Sequence, residues 1–132
     1  MPGRRVLALD YGSAHCGCAL SDPTGVLASP VEPVLAPRSK AGLDALVALA
    51  RREGVDLVLV GLPLSLSGGD SDQTREAREF AAALGERLGS EVPVELHDER
   101  FTTKLARRAR GSASEDSRAA AHLLQSWLDS QR

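Results

Sequence analysis

Apolar and polar positions along the chain fall into two periodicities. Val6, Leu7, Ala8 and Leu9 form a continuous apolar run, the pattern of a strand buried on both faces. The run ends on Asp10, and Gly12 follows two residues later. Residues 16–20 (CGCAL) resume as a second strand after this tight turn. Residues 26–35 (VLASPVEPVL) read as a third extended segment, and Pro30 and Pro33 suit it to a sheet edge. Leu43, Leu46, Val47 and Ala50 then recur at helical spacing, and Gly54 closes that helix. Residues 56–61 (DLVLVG) are a β-type run suited to a central strand. A polar, glycine-containing loop over residues 62–72 follows it. Ser71 or Asp72 can cap the next helix, whose inner face is Ala77, Phe80, Ala81, Leu84 and Leu88, with Gly89 at its end. Residues 92–98 (VPVELHD) are another strand. Thr102 can cap a short basic helix closed by Gly111, and Ser114 a last helix with core face Ala119, Ala120, Leu123, Leu124, Trp127 and Leu128.

The predicted order is three strands, helix, strand, helix, strand, helix, helix. Alternation of strands with helices implies parallel pairing, and the three opening strands imply an antiparallel meander joined to it. The expected fold class is α/β, a five-stranded mixed sheet with helices on both faces, in one domain over residues 1–132. A chain of 132 residues buries roughly two-thirds of its unfolded surface, enough for a core. Aromatic content is only 3 %, so the core must be Leu, Val and Ala, and a base-stacking sheet is disfavoured. No run of about 18 apolar residues is present, so no membrane span is expected. The N-terminus has no apolar signal core apart from the first strand, and a cytoplasmic protein is expected. Cys16 and Cys18 lie two apart in a predicted strand. They point to one face, cannot bridge while the strand is extended, and read as reduced core residues.

The net charge is −2, so no global field attracts nucleic acid. The charge distribution changes that picture. Between Arg100 and Ser114 stand Arg100, Lys104, Arg107, Arg108 and Arg110, with no acid among them. Acids occur where chain ends meet the predicted core: Asp10 ends the first strand, Asp98 and Glu99 the last strand, and Asp116 opens the last helix. Spacings of four and seven to Ala120 and Leu123 put Asp116 on the inward face. In a parallel arrangement the first and last strands end on one edge of the sheet, where α/β proteins place their sites. Carboxylates converging there repel one another unless cations compensate, and such hard oxygen ligands select Mg²⁺ or Mn²⁺. Divalent ions so held suit hydrolysis of a phosphodiester, and the basic block offers a surface for the phosphate backbone. Each piece also has a plainer account. Asp10 can cap a turn, Asp98 and Glu99 beside Arg100 can be a solvated cluster, and Asp116 can favour a helix start. Residues 61–72 can be an ordinary connection, and Arg107, Arg108 and Arg110 a solvated helix face. Convergence of three acids beside a basic block favours the metal site.

The ordered set Asp10-Tyr11-Gly12, Val60-Gly61-Leu62-Pro63-Leu64, His97-Asp98-Glu99-Arg100 and Glu115-Asp116-Ser117 with Ala119-Ala120 resembles the bacterial YqgF/RuvX family, from Leu7 to Leu128. The resemblance implies an RNase H-like fold related to the RuvC Holliday junction resolvase. It implies a nuclease that matures the 5′ end of pre-16S ribosomal RNA, or alternatively a resolvase of DNA junctions in recombination and repair. By resemblance Asp10, Glu99 (or its neighbour Asp98) and Asp116 are the catalytic, metal-binding acids. Adjacent strand residues point to opposite faces, so one of Asp98 and Glu99 binds metal and the other supports it; Glu99 is the choice. His97 is close enough to carry a proton. Arg100, Lys104, Arg107, Arg108 and Arg110, with Ser67 and Gly68 of the glycine-containing loop, are the expected nucleic-acid contacts. Two departures stand out. The basic residues the family carries after its DxG turn are replaced by Ser13-Ala14-His15-Cys16, leaving His15 as the only candidate. The loop before the third acid, Gly111-Ser112-Ala113-Ser114, is short and uncharged.

The expected partners are pre-rRNA or branched or single-stranded DNA, acted on by a monomer or homodimer, with no membrane. Two rivals belong to other classes. A nucleotide-binding fold of the actin and sugar-kinase type shares the strand–DxG–strand turn but closes two domains on ATP. A catalytically silent nucleic-acid-binding module would keep the shell without cleavage.

Overall fold

A computed structural model describes residues 4–62, 72–98 and 113–131. Its elements are β1 (Val6–Asp10), β2 (His15–Ser21), β3 (Ala28–Leu35), α1 (Lys40–Arg52), β4 (Leu57–Leu62), α2 (Asp72–Leu88), β5 (Val94–Asp98) and α3 (Ala113–Ser130). The five strands form one sheet in the order β3-β2-β1-β4-β5. β1, β2 and β3 are the antiparallel meander, while β4 runs parallel to both β1 and β5. The C-terminal ends of β1, β4 and β5 therefore share one edge.

Strand alternation sorts the side chains into two layers. Leu7, Leu9 and Tyr11 of the β1 segment, with Val58, Val60 and Leu62 of β4, pack with Leu46, Phe80 and Leu84 of α1 and α2. Val6, Ala8, Leu57 and Leu59 pack on the opposite face with Ala120, Leu123, Leu124 and Leu128 of α3. Helices thus cover both faces, and β1 is buried along its whole length. Cys16 and Cys18 are free, buried thiols in the first layer. No described helix is long and apolar enough to cross a membrane.

Several boundaries differ from the sequence reading, each for a local reason. β3 begins at Ala28 instead of 26. The Asp22 carboxylate accepts from the N–H groups of Val26 and Leu27, both at 2.8 Å, which closes a turn over those residues. The same donors, after the Thr24 hydroxyl, hold the Asp22 carboxyl well below its ordinary range. β5 begins at Val94, just after Pro93, which has no N–H for a ladder. α3 begins at Ala113, so Ser114, the expected cap, falls inside the first turn. Gly54 and Gly89 follow α1 and α2 at φ 65° and 77°, left-handed positions that favour glycine. The predicted basic helix after Thr102 lies outside the described residues.

Candidate active site

The site is assembled around a residue without a side chain. Asp10 continues the β1 row of Val6 and Ala8, which faces α3. Its register partner on β2 is Gly17. The first turn of α3 lies directly on that glycine: a Cβ at position 17 would stand 2.0 Å from the Asp116 carbonyl oxygen and 2.7 Å from the Ser117 nitrogen. Asp10 and Asp116, 106 residues apart in sequence, thus meet at one point of the fold. Both are buried, at 4 % and 3 % exposure. A close approach of backbone to backbone is what a glycine inside a strand permits.

A hydrogen bond and a close side-chain contact fix this meeting. The Cys18 N–H donates to the Ser117 hydroxyl at 3.1 Å, beside the shift of β2–β3 register between Cys16 and Cys18. His15 Nδ1 lies 2.5 Å from Asp116 Oδ2. The field of the acids reaches the far side of β2. The Cys16 thiol is pushed well above its usual range by its hydrogen bond with Cys18, by burial, by the Cys18 charge, and by the negative charges of Asp10 and Asp116. Tyr11 turns the other way. Its ring packs on Phe80 at 4.9 Å and its hydroxyl donates to Glu76 at 3.2 Å, tying the end of β1 to α2.

Asp10 and Asp116, both expected from the sequence, are brought together. Asp98 closes β5 opposite Leu62, and His97 stands opposite Gly61, so the two carboxyl-terminal strand ends lie at the expected edge. Glu99, Arg100, Lys104, Arg107, Arg108, Arg110, Ser67 and Gly68 lie outside the described residues. Among the described residues no group of three His, Cys, Asp or Glu side chains is arranged to hold a metal ion. The two described acids nonetheless fit a divalent cation in kind. They are hard oxygen donors, buried against a common backbone point, where a cation offsets the cost of like charges. The sequence reading missed the contact of His15 with Asp116, the role of Gly17 and the bond from the Cys18 N–H to Ser117. A glycine interrupting an apolar strand is the signal that points to Gly17.

Replacing Ser117 with Ala leaves the buried Cys18 N–H without this acceptor. The expected loss is about 1–2 kcal/mol, read as a thermal midpoint lower by about 4–8 °C. An unchanged midpoint contradicts this anchoring role.

Comparison with known proteins gives concordant results. A family model described as RuvX, Holliday junction resolvase, matches residues 4–130. A Corynebacterium jeikeium protein named "Putative pre-16S rRNA nuclease" is 39 % identical over 141 residues, spanning 99 % of this chain and 90 % of that protein. A protein of the same name from Mycobacterium tuberculosis is 45 % identical over 138 residues, spanning 97 % and 81 %. Among solved structures, Thermus thermophilus RuvC in complex with Holliday junction substrate superposes with a TM-score of 0.60 at 17 % identity, covering 98 % of this chain and 96 % of that one. The fowlpox virus resolvase bound to Holliday junction DNA gives 0.57 at 12 % identity, covering 96 % and 98 %. These likenesses show that the fold is RNase H-like. With the family match running over residues 4–130 and identities of 39–45 % over nearly the whole chain, this chain belongs to the RuvX family.

Proposed function

We propose that this chain is a divalent-metal-dependent nuclease that hydrolyses phosphodiester bonds in structured nucleic acid, with the 5′ end of pre-16S rRNA as its substrate. The observation that carries the reading is that two buried acids converge on Gly17 at the end of β1: Asp10 is its strand partner and the backbone of Asp116 packs on it. The name shared by the relatives supports the choice of RNA.

Asp10 and Asp116 are two of the acids that hold Mg²⁺ or Mn²⁺. Glu99 is the third. The resemblance favours Glu99 over its neighbour Asp98 for this place. The bound ion supplies Lewis-acid polarisation of the phosphate and acidifies water. Asp10 and Asp116 fix its place because each sits on a rigid element. Arg100, Lys104, Arg107, Arg108 and Arg110, with Ser67 and Gly68, hold the phosphate backbone. His97 carries a proton at the sheet edge. Such work on a ribosomal RNA precursor belongs in the bacterial cytoplasm.

The test is a cleavage screen with Mg²⁺, Mn²⁺ and EDTA on a precursor rRNA leader, single-stranded DNA and a four-way DNA junction. Cleavage of the leader only with metal present is the expected outcome. Preferential cutting of the junction, with a dimeric mass in solution, moves the substrate to DNA, since a two-fold junction calls for a two-fold enzyme. Binding without cleavage of any substrate leaves a silent binding module.

A further inference from the structure

We propose that the groove between α3 and β3 seats a single-stranded segment of the nucleic-acid substrate as it leaves the active site, with Arg118 and His122 holding its phosphates. The proposal rests on the nucleic-acid substrate proposed above and extends the binding surface to residues outside the basic block. Two hollows make up the groove. One, of about 280 Å³, is lined by Ala28, Pro30, Arg118, Ala121, His122 and Gln125. The other, of about 350 Å³, is lined by residues 30–33, Ser117 and Arg118. Pro30 and Arg118 line both, so the two hollows adjoin.

The groove begins beside the two buried acids. Ser117 follows Asp116 directly, and its hydroxyl accepts from the Cys18 N–H. Val31 pairs with Cys18, the neighbour of the glycine that partners Asp10. From that level the groove runs past Pro30, the partner of Ala19, to Ala28, the partner of Ser21. Its walls are held at a fixed separation. Gln125 Oε1 accepts from the Ala28 N–H at 3.0 Å, and its Nε2 donates to the Val26 carbonyl at 2.9 Å. These bonds tie α3 to the start of β3, as the Ser117 bond ties it to β2 at the other end. The groove is therefore preformed.

Its chemistry names the occupant. Arg118 and His122 are exposed. Four residues apart, they stand one above the other on a single helix face, about 6 Å apart along the axis. Among the described residues no hydrogen bond or ion pair engages either side chain. A guanidinium presents a fork of donors that matches phosphate oxygens, and an imidazole donates an N–H whether or not it is charged. Pro30 and Pro33 on the facing wall have no N–H to offer and give sugars and bases an apolar surface that reads no sequence. Glu32 is the one acid lining the groove. Two cationic positions in a single line serve one strand, not a duplex.

The experiment measures binding of the full chain, in EDTA, to a hairpin RNA with a single-stranded tail and to the same hairpin without it. Fluorescence anisotropy at several salt concentrations gives affinity and salt slope. Wild type is expected to bind the tailed RNA more tightly. Arg118→Ala is expected to weaken binding of the tailed RNA about fivefold and to reduce its salt slope by about 0.7, the share of one single-strand phosphate. The blunt hairpin should bind as before. His122→Ala should act in the same direction with a smaller loss. Equal affinity of wild type for the two RNAs overturns the proposal, as does an unchanged affinity and slope in Arg118→Ala, or a loss shared equally by both RNAs. Should Arg118→Ala fail to fold, Arg118→Lys and Arg118→Gln decide it, since only the variant that keeps the charge should keep the slope. Cleavage by wild type with Mn²⁺ separates the two levels of failure. If cleavage is present and Arg118→Ala binds the tail like wild type, only the groove is lost. If cleavage is absent and the tail still binds through Arg118, the groove stands and the nuclease reading is lost.

Discussion

Asp10→Asn is expected to remove nuclease activity by a factor of about 10³ or more while the protein stays folded. The size follows from what a bound divalent ion contributes, several kcal/mol of transition-state stabilisation, with each 1.36 kcal/mol worth tenfold in rate. Asp10 sits at 4 % exposure beside Gly17, against which the Asp116 backbone is packed. An amide has the shape of the carboxylate without its charge, so packing is preserved and repulsion between the acids is relieved. The thermal midpoint is therefore expected within a few degrees of wild type. Affinity for nucleic acid should largely persist, because the cationic residues proposed to hold it are other than Asp10. Turnover and a filter-binding isotherm on the same preparation check both halves. Wild-type turnover in this variant would falsify the assignment of Asp10 to the metal.

Gly17→Ala is expected to produce the largest loss of stability for the smallest added volume. The new methyl would lie 2.0 Å from the Asp116 carbonyl oxygen, 2.2 Å from its carbon and 2.7 Å from the Ser117 nitrogen. These are backbone atoms, so no side-chain rotation relieves the clash. The first turn of α3 must lift from β2, or β2 must shift. Overpacking of this kind costs about 3 kcal/mol, at the upper end of its usual range. The thermal midpoint should then fall by about 12 °C, and Mn²⁺ binding should weaken because Asp116 moves with the helix. Gly85→Ala is the matched control. A Cβ there meets only Val94 Cγ2 at 3.7 Å and Cβ at 3.9 Å, ordinary contacts for a position inside α2, and the change should raise stability by about 0.5–1 kcal/mol. A Gly17→Ala protein as stable as wild type would mean that α3 does not dock through this point.

Much of this site was legible because local periodicity carries it. The apolar run of β1 ending on an acid, and the four- and seven-residue spacings from Asp116 to Ala120 and Leu123, suffice to place both carboxylates at the core's margin. The parallel pairing of β1 with β4 and of β4 with β5 follows from helices interposed between strands. Contacts that join distant segments were not legible. Cys18 and Ser117 are 99 residues apart, and nothing in the pattern of either segment selects the other. His15 looked like a residue for substrate because its partner is revealed only when α3 is laid on β2. The late start of β3 had a different cause. A carboxylate at Asp22 competes successfully for N–H groups that β propensity would give to a ladder.

The irregular margin at β3 has a consequence for assembly. β3 carries Pro30 and Pro33, and its pairing with β2 slips across the bulge opposite Cys16 and Cys18. An added strand needs an unbroken repeat of outward donors and acceptors, and prolines and bulges deny it one. Joining of two copies sheet to sheet through β3 is therefore disfavoured.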